Sequence, residues 1–318
     1  MLVIDGRQPV PEAARGSVLA IGNFDGVHRG HKALLTEAKR VAAAAGRLAG
    51  AVVFEPQPRE FFHPEEHHFR LTPLPEKLRL FEMAGLDLVA VINFDAQFAR
   101  LSADEFISRI LVDTYGVAHV VIGYDFSFGH RRGGTPETMR QAGERLGFGV
   151  SVVGQQAEEG EVFASTAIRL HLAQGDVHGA AQALGHWWRV SALVISGQKL
   201  GTELGFPTAN VELPPGTALR HGIYAVRVII GDEIHQGAAY FGTRPSADDG
   251  PVRLEVFVLD FTGDLYDREI AIEFVDFIRE DKRFATLDAL KAQIADDCAR
   301  ARSILATAGE KPPIEDAG

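Results

Sequence analysis

The sequence predicts an α/β chain in two parts. The first is a parallel sheet with helices on both faces; the second is an antiparallel β-barrel closed by a helix. Three observations carry this. Up to about Val153, short β-rich runs alternate with helical stretches. After about Leu184, strand-like runs follow one another with only short turns between them. A helical period then returns near the end of the chain.

In the first part the runs are SVLAI (17–21), AVVF (51–54), LDLVAVINF (86–94), VAHVVIG (117–123) and GVSVV (149–153). Near-continuous apolar runs separated by helices read as parallel strands covered on both faces. Between the first two runs, Leu34, Ala38, Val41 and Ala45 recur at spacings of 4, 3 and 4, predicting one face of a helix. Ser102 to Glu105 forms a capping box before the apolar face of Phe106, Ile107, Ile110 and Leu111. The stretch 165–185 reads as helical and links the halves.

In the second part WWRVSALVIS, GIYAVRVII, EIHQGAAYF, VRLEVFVLDF and LYDREIAIEFVDFI read as strands, with turns at Gly231-Asp232 and Thr262-Gly263-Asp264. Leu287, Leu290, Ile294, Ala301 and Leu305 mark the buried face of the closing helix. The expected domains are 1–184, including the helical linker 165–184, then 185–306, with a disordered polar tail at 307–318.

Composition narrows the function. The 318 residues suffice for two domains with separate cores. A net charge of −11 argues against nucleic acid or an anionic membrane as partner, while leaving room for a small phosphate pocket. The single cysteine, Cys298, allows no internal disulfide and suits a cytoplasmic setting. No apolar run approaches the roughly 20 residues of a membrane span.

The stretch GNFDGVHRGHKALL (22–35) sets His28 and His31 around Gly30 where a strand gives way to a helix. Unpaired N–H groups and the positive end of the helix dipole bind phosphate at such a place. Gly22, Gly26 and Gly30 would let the backbone approach a ligand, and the imidazoles add donors. In a nucleotidyl transfer, fixed donors aimed at developing charge are worth roughly 3–4 kcal/mol each. Ser165, Thr166 and Arg169 would open a second helix as another phosphate clamp. In GQKLGTELGFPTAN (197–210), Gly197, Gly201 and Gly205 give a flexible loop. Thr208 and Asn210 project to one side of the extended chain beyond it, an oxygen pair suited to Mg²⁺. Glu255 shares a strand face with Phe257 and Leu259, which makes it a carboxylate on an otherwise apolar side of the barrel.

These motifs resemble, in order, those of the bacterial bifunctional riboflavin kinase/FAD synthetases. The stretches are GNFDGVHRGH, VIGYDFSFG, STAIR, LGFPTAN, FGTRPS and LEVFVLDFTGDLYD. The resemblance implies a Rossmann-like nucleotidyltransferase domain that adenylylates FMN, fused to a barrel that phosphorylates riboflavin, each with ATP and Mg²⁺. It implies nucleotide contacts at Gly22, Asn23, Phe24, Asp25, Gly30, Asp125, Ser165, Thr166, Arg169, Gly197, Gly201, Thr208 and Asn210. It also implies catalytic roles for His28 and His31, a catalytic base at Glu255, metal at Thr208 and Asn210, and a flavin contact at Arg302, with Arg300 as a rival. The implied partners are small molecules (ATP, riboflavin and FMN), with a weak homo-oligomer left open.

Five positions depart from the family's usual residues: Gln57 for histidine, Ala164 for serine, Thr202 for a basic residue, Tyr240 for asparagine and Ser246 for threonine. Two further readings therefore stand beside the bifunctional enzyme. One is an adenylyltransferase with a weak or silent kinase, and the other is a flavin-binding regulator without turnover.

Overall fold

The computed structural model describes residues 1–155, 157–158, 161–195, 205–214, 216–243, 252–309 and 312. Chain contacts divide it into two compact units. One comprises Met1–His68 with Thr72–Phe163, and the other Phe69–Leu71 with the chain from Ala164 onward.

The first unit holds six strands: β1 (Leu2–Asp5), β2 (Val18–Ile21), β3 (Ala49–Glu55), β4 (Leu88–Asn93), β5 (His119–Gly123) and β6 (Gly149–Val153). They form one parallel sheet in the order β1-β4-β3-β2-β5-β6. The five predicted strands are present. The extra edge strand, β1, pairs with β4; its short apolar run Leu2-Val3-Ile4 was not read as a strand, and Leu2 and Val3 are exposed at the sheet edge.

Side chains alternate across this sheet as the two-residue period requires. Leu19, Ile21, Val52, Leu88, Val120 and Ile122 enter one core layer, whereas Val18, Ala20, Val53, Val89 and Val121 enter the other. Helices α1 (Arg29–Ala45), α2 (Pro58–Phe62) and α3 (Leu74–Met83) come before β5. The predicted capping box is present at Ser102. It opens α4 (Ala103–Glu105), which continues as a π-helix over Phe106–Thr114; α5 (Pro136–Leu146) follows. On α1 the buried line is Leu35, Ala38 and Ala42, one residue round from the predicted face, and Ala45 is exposed. Strand connections run outward from β2 through β3 to β4, then return to β5 on the other side of β2. The carboxyl ends of β2 and β5 therefore flank the switch in direction, where open parallel sheets bind ligands. A two-stranded ribbon, β7 (Ala157–Glu158) with β8 (Glu161–Val162), completes the unit.

The second unit begins with α6 (Ser165–Gln174) and α7 (Val177–Leu184). The sequence assigns this linker to the first domain. Its contacts group it with the barrel instead, because Ala181 shares an apolar cluster with Trp187, Ile223 and Val275. Six antiparallel strands follow: β9 (Trp188–Ile195), β10 (Thr208–Val211), β11 (Gly222–Ile230), β12 (Glu233–Gly242), β13 (Arg253–Val258) and β14 (Glu269–Arg279). They close in the order β10-β13-β12-β11-β14-β9, and β9 pairing with β10 removes the free edges. Helix α8 (Leu287–Thr307) packs Cys298, Ala301 and Leu305 against the outer barrel wall. Leu290 and Ile294 are half-buried and Leu287 is exposed. The predicted tail at 307–318 starts too early. The carbonyls of Ala308 and Gly309 accept hydrogen bonds from Arg227, which holds the chain beyond the helix.

Candidate functional sites

The loop from β2 to α1 is braced from outside. Phe24 (φ 48°), Gly26 (φ 92°) and Val27 (φ 44°) are all left-handed, a costly conformation for a β-branched valine. Thr72 holds it there: the Gly26 N–H donates to Thr72 Oγ1 (2.8 Å), and the Thr72 N–H donates to Asp25 Oδ1 (3.2 Å). Lys77 is buried, and its ammonium donates to the Asn23 carbonyl at 2.6 Å. Phe24 is buried edge-on against Phe81. The sequence reading missed Thr72 and Lys77. Neither lies near the motif in the chain, and only the fold brings them to it.

His28 is the N-cap of α1, and its Nδ1 accepts from the His31 N–H at 3.3 Å. Its ring proton therefore sits on Nε2 in the neutral form. The two imidazoles stack with centroids 3.6 Å apart. Burial holds the His31 pKa well below the usual histidine value, and His28 and Lys77 push it the same way. His31 Nδ1 is buried and has no hydrogen-bond partner among the described residues. A neutral imidazole with an open nitrogen, beside a buried ammonium and a helix start, suits an arriving polyanion.

Two of the loop's glycines are closely packed by the protein itself. A Cβ on Gly30 would lie 3.1 Å from the His28 ring and 3.2 Å from the Phe163 carbonyl. A Cβ on Gly22 would lie 3.3 Å from the Phe24 ring. Both make room for the protein's own groups. Asp125 is exposed in the turn after β5, across the switch point from this loop. An aromatic rim follows β3 and β4, where Phe61, Phe62, Phe94 and Phe98 interlock and Phe62 is 58% exposed. The paired Phe61-Phe62 just after a strand was its only sequence signal. Gln57 caps α2 from a buried position, and its Nε2 lacks a partner.

In the second unit, Ser165 and Thr166 open α6. With Ala164 as N-cap, no side chain caps this helix. Arg169 donates from Nε to the Phe69 carbonyl (2.9 Å) and from Nη1 to the Ser165 carbonyl (3.2 Å).

The barrel carries a row of directly paired residues. Asn210 faces Glu255, Glu255 faces Tyr240, Tyr240 faces Ile223 and Ile223 faces Arg279, across β10, β13, β12, β11 and β14. Directly opposed residues share a face. That face is the outer one, because Leu254, Val256 and Val258 are buried on the inside of β13. Glu255 does share its face with Phe257, but the apolar surroundings come from α8 rather than from the barrel interior. Between this wall and α8 lies a cavity of about 550 Å³. Its lining includes Thr208, Glu255, Phe257, Tyr240, Ile294 and Cys298. Burial pushes the Cys298 thiol up to about 11, so it lines the wall as a neutral apolar group. Arg279 forks onto buried Asp297 (2.8 and 2.6 Å) and ties α8 to β14. Beside Glu255, Asn210 is buried and its Oδ1 has no hydrogen-bond partner among the described residues. With the Thr208 hydroxyl on the same face, this orphaned oxygen fits a hard divalent cation.

Comparison with known proteins matches both halves. Residues 10–167 fit the FAD synthetase family and residues 184–305 the riboflavin kinase family. A bifunctional riboflavin kinase/FMN adenylyltransferase of Pseudomonas fluorescens is 41% identical over 98% of this chain and 100% of its own. That of Escherichia coli K12 is 41% identical over 95% and 97%. The chain belongs to this bifunctional riboflavin kinase/FMN adenylyltransferase family. A solved chain from Streptococcus pneumoniae, described as a macrolide-efflux protein, shares the fold at TM-score 0.83, with 25% identity over 95% of this chain and 99% of its own. No described helix here is long and apolar enough to cross a membrane.

Other residues implied by the family resemblance fall less simply. Arg302 is absent from the cavity lining; its guanidinium forks onto exposed Asp260 (2.6 and 2.7 Å), while Arg300 donates to the Ile278 carbonyl. From α8 the cavity is lined by Leu287, Leu290, Ile294, Asp297 and Cys298, and Arg302 lies one turn beyond Cys298. Gly197, Gly201, Thr202 and Ser246 lie outside the described residues.

Proposed function

We propose that the two units of this bifunctional enzyme divide the chemistry at the residues just described. In the barrel unit the riboflavin 5′-hydroxyl attacks the γ-phosphorus of ATP, forming FMN and releasing ADP. Glu255, on the cavity wall, takes the hydroxyl proton. Thr208 and Asn210 would hold Mg²⁺, which when bound neutralises phosphate charge. The isoalloxazine ring enters the apolar cavity against Phe257 and Ile294. The buried, unpartnered Asn210 Oδ1 next to Glu255 is the observation that carries this assignment.

In the sheet unit an FMN phosphate oxygen attacks the α-phosphorus of ATP, forming FAD and releasing pyrophosphate. This step frees no proton from the nucleophile, so the site needs donors rather than a base. The α1 N-terminus, His28 Nε2–H and Lys77 supply them. His31, neutral in the free protein, gains basicity when phosphate oxygens arrive, and can then donate from both nitrogens. The interlocked phenylalanines offer a stacking surface for the flavin ring. Ser165, Thr166 and Arg169 are retained as ATP contacts, and Asp125 as a nucleotide contact, on their motifs.

The net charge of −11 supports small-molecule partners over nucleic acid, and the lone buried cysteine supports a reducing cytoplasm. Incubating the purified chain with riboflavin, ATP and Mg²⁺ should show FMN rising first and FAD following by chromatography. FAD from supplied FMN without FMN from riboflavin would overturn the barrel assignment.

A further inference from the structure

Tyr240 is the one large polar residue of β12 in the row opposite Glu255, and it stands where the family usually has asparagine. Its hydroxyl lies 3.0 Å from Asp281 Oδ2 and 2.8 Å from the Thr243 carbonyl. Asp281 is the second residue of the connection from β14 to α8, and each of residues 281–286 lines the flavin cavity. Other ties of this connection are given by Arg220 and Arg279, which bond Glu280, by Arg279 and Lys282 over the Phe284 ring, by Lys282 bonding Gln293, and by the Thr286 side chain, which caps α8; Tyr240 is the tie from β12. The phenol reaches Asp281 because it lies back over Gly242, where a Cβ would come within 2.7 Å of its oxygen. Asparagine has no atom where this hydroxyl sits.

We propose that Tyr240 is a positioning residue for the kinase step, a latch that holds the Asp281 connection against the barrel and so sets how tightly the cavity grips riboflavin. The inference rests on reading the cavity as the riboflavin site. A phenol has one proton, and among the described residues it faces two acceptors. Donating to the Asp281 carboxylate, a charged acceptor, closes the wall. Turning to the Thr243 carbonyl releases the wall while the hydroxyl keeps a hydrogen bond, so opening costs less than breaking a bond outright. Such an exchange suits a site that must admit riboflavin and discharge FMN with every turnover.

Steady-state kinetics in both substrates, on the full chain, test this. Tyr240→Phe should raise the riboflavin KM about tenfold with kcat unchanged or higher. Asp281→Ala should do the same, and the double variant should be no worse than the worse single one. Asp281→Asn keeps an acceptor and should fall between wild type and Asp281→Ala. FAD formation from supplied FMN, measured in the same preparations, should be unaffected and reports that the chain is folded. A riboflavin KM within twofold of wild type in Tyr240→Phe, or effects that multiply in the double variant, would overturn the latch. Ile294→Trp, which fills the cavity, tests the underlying reading separately. If it phosphorylates riboflavin normally, cavity and latch both fail. If it loses that activity while Tyr240→Phe is normal, only the latch fails.

Discussion

In the sheet unit the proposed phosphate site is built from positive and neutral donors: a helix start, the buried Lys77 ammonium and two stacked imidazoles. In the barrel unit the residues read as the ATP end of the site are oxygens: Thr208, Asn210 and Glu255. One substrate, ATP, thus meets opposite electrostatic environments in one chain. The difference follows from where each reaction places its demand. Attack by a phosphate oxygen on the α-phosphorus brings together two anions and needs fixed positive potential. Attack by an alcohol on the γ-phosphorus needs a proton acceptor and a cation to mask the triphosphate, and carboxylate and carbonyl oxygens provide both.

The sharpest way to separate the two is Glu255→Gln. It keeps shape and hydrogen bonding but removes the acceptor, so FMN formation should fall 10²–10⁴-fold, on the order expected for a lost general base. FAD formation from FMN should stay at wild-type rate. Equal losses in both reactions would break the separation. Conversely, His28→Ala or His31→Ala should lower FAD formation by about 10²-fold and spare FMN formation. Near-normal FAD synthesis in both variants would remove the histidines from the mechanism.

Asn210→Ala should raise the Mg²⁺ concentration needed for half-maximal kinase activity by about tenfold, the scale of a weakened metal site. The adenylyl step's metal dependence should not move. A smaller effect tests the donor site through stability. The folded His31 pKa is depressed, so below the ordinary histidine value the unfolded chain binds a proton that the folded ring resists. Stability contributed by this group is therefore present above about pH 6.5 and is lost as pH falls. His31→Asn should flatten the acid side of the thermal-midpoint profile between about pH 7 and 5. An unchanged profile would mean that His31 is not held neutral by its surroundings.

The alternation that builds the sheet and barrel was legible in sequence because each strand repeats one rule over several residues. The motifs were legible because their spacing along the chain matches their spacing in space: His28 caps the helix that His31 enters, and Thr208 and Asn210 share a face. What was hidden came from distance. Thr72 and Lys77 brace the loop around Asn23 and Asp25 from some fifty residues away, and nothing local marks a lysine for burial. Arg279 and Asp297 likewise show only as ordinary charges until α8 docks. Arg302 illustrates the converse. A helix turn decides whether an arginine meets a cavity or an aspartate, and a motif read by eye does not resolve one turn. The face of α1 was misread by a single position for the same reason, since Leu34 and Leu35 compete for the stripe.

The row Asn210–Glu255–Tyr240 makes the kinase site a matter of parity. Leu254, Val256 and Val258 of β13 seal the barrel, whereas Glu255 and Phe257 face the cavity. Adding or deleting one residue ahead of Glu255 would exchange the two sets, driving a carboxylate into the barrel and a core valine into its place. Lengths on this strand can therefore change only in pairs, whereas the connections at its ends are free to vary by any number. A lineage reshaping this enzyme would be expected to alter its loops residue by residue while keeping the length of β13 fixed.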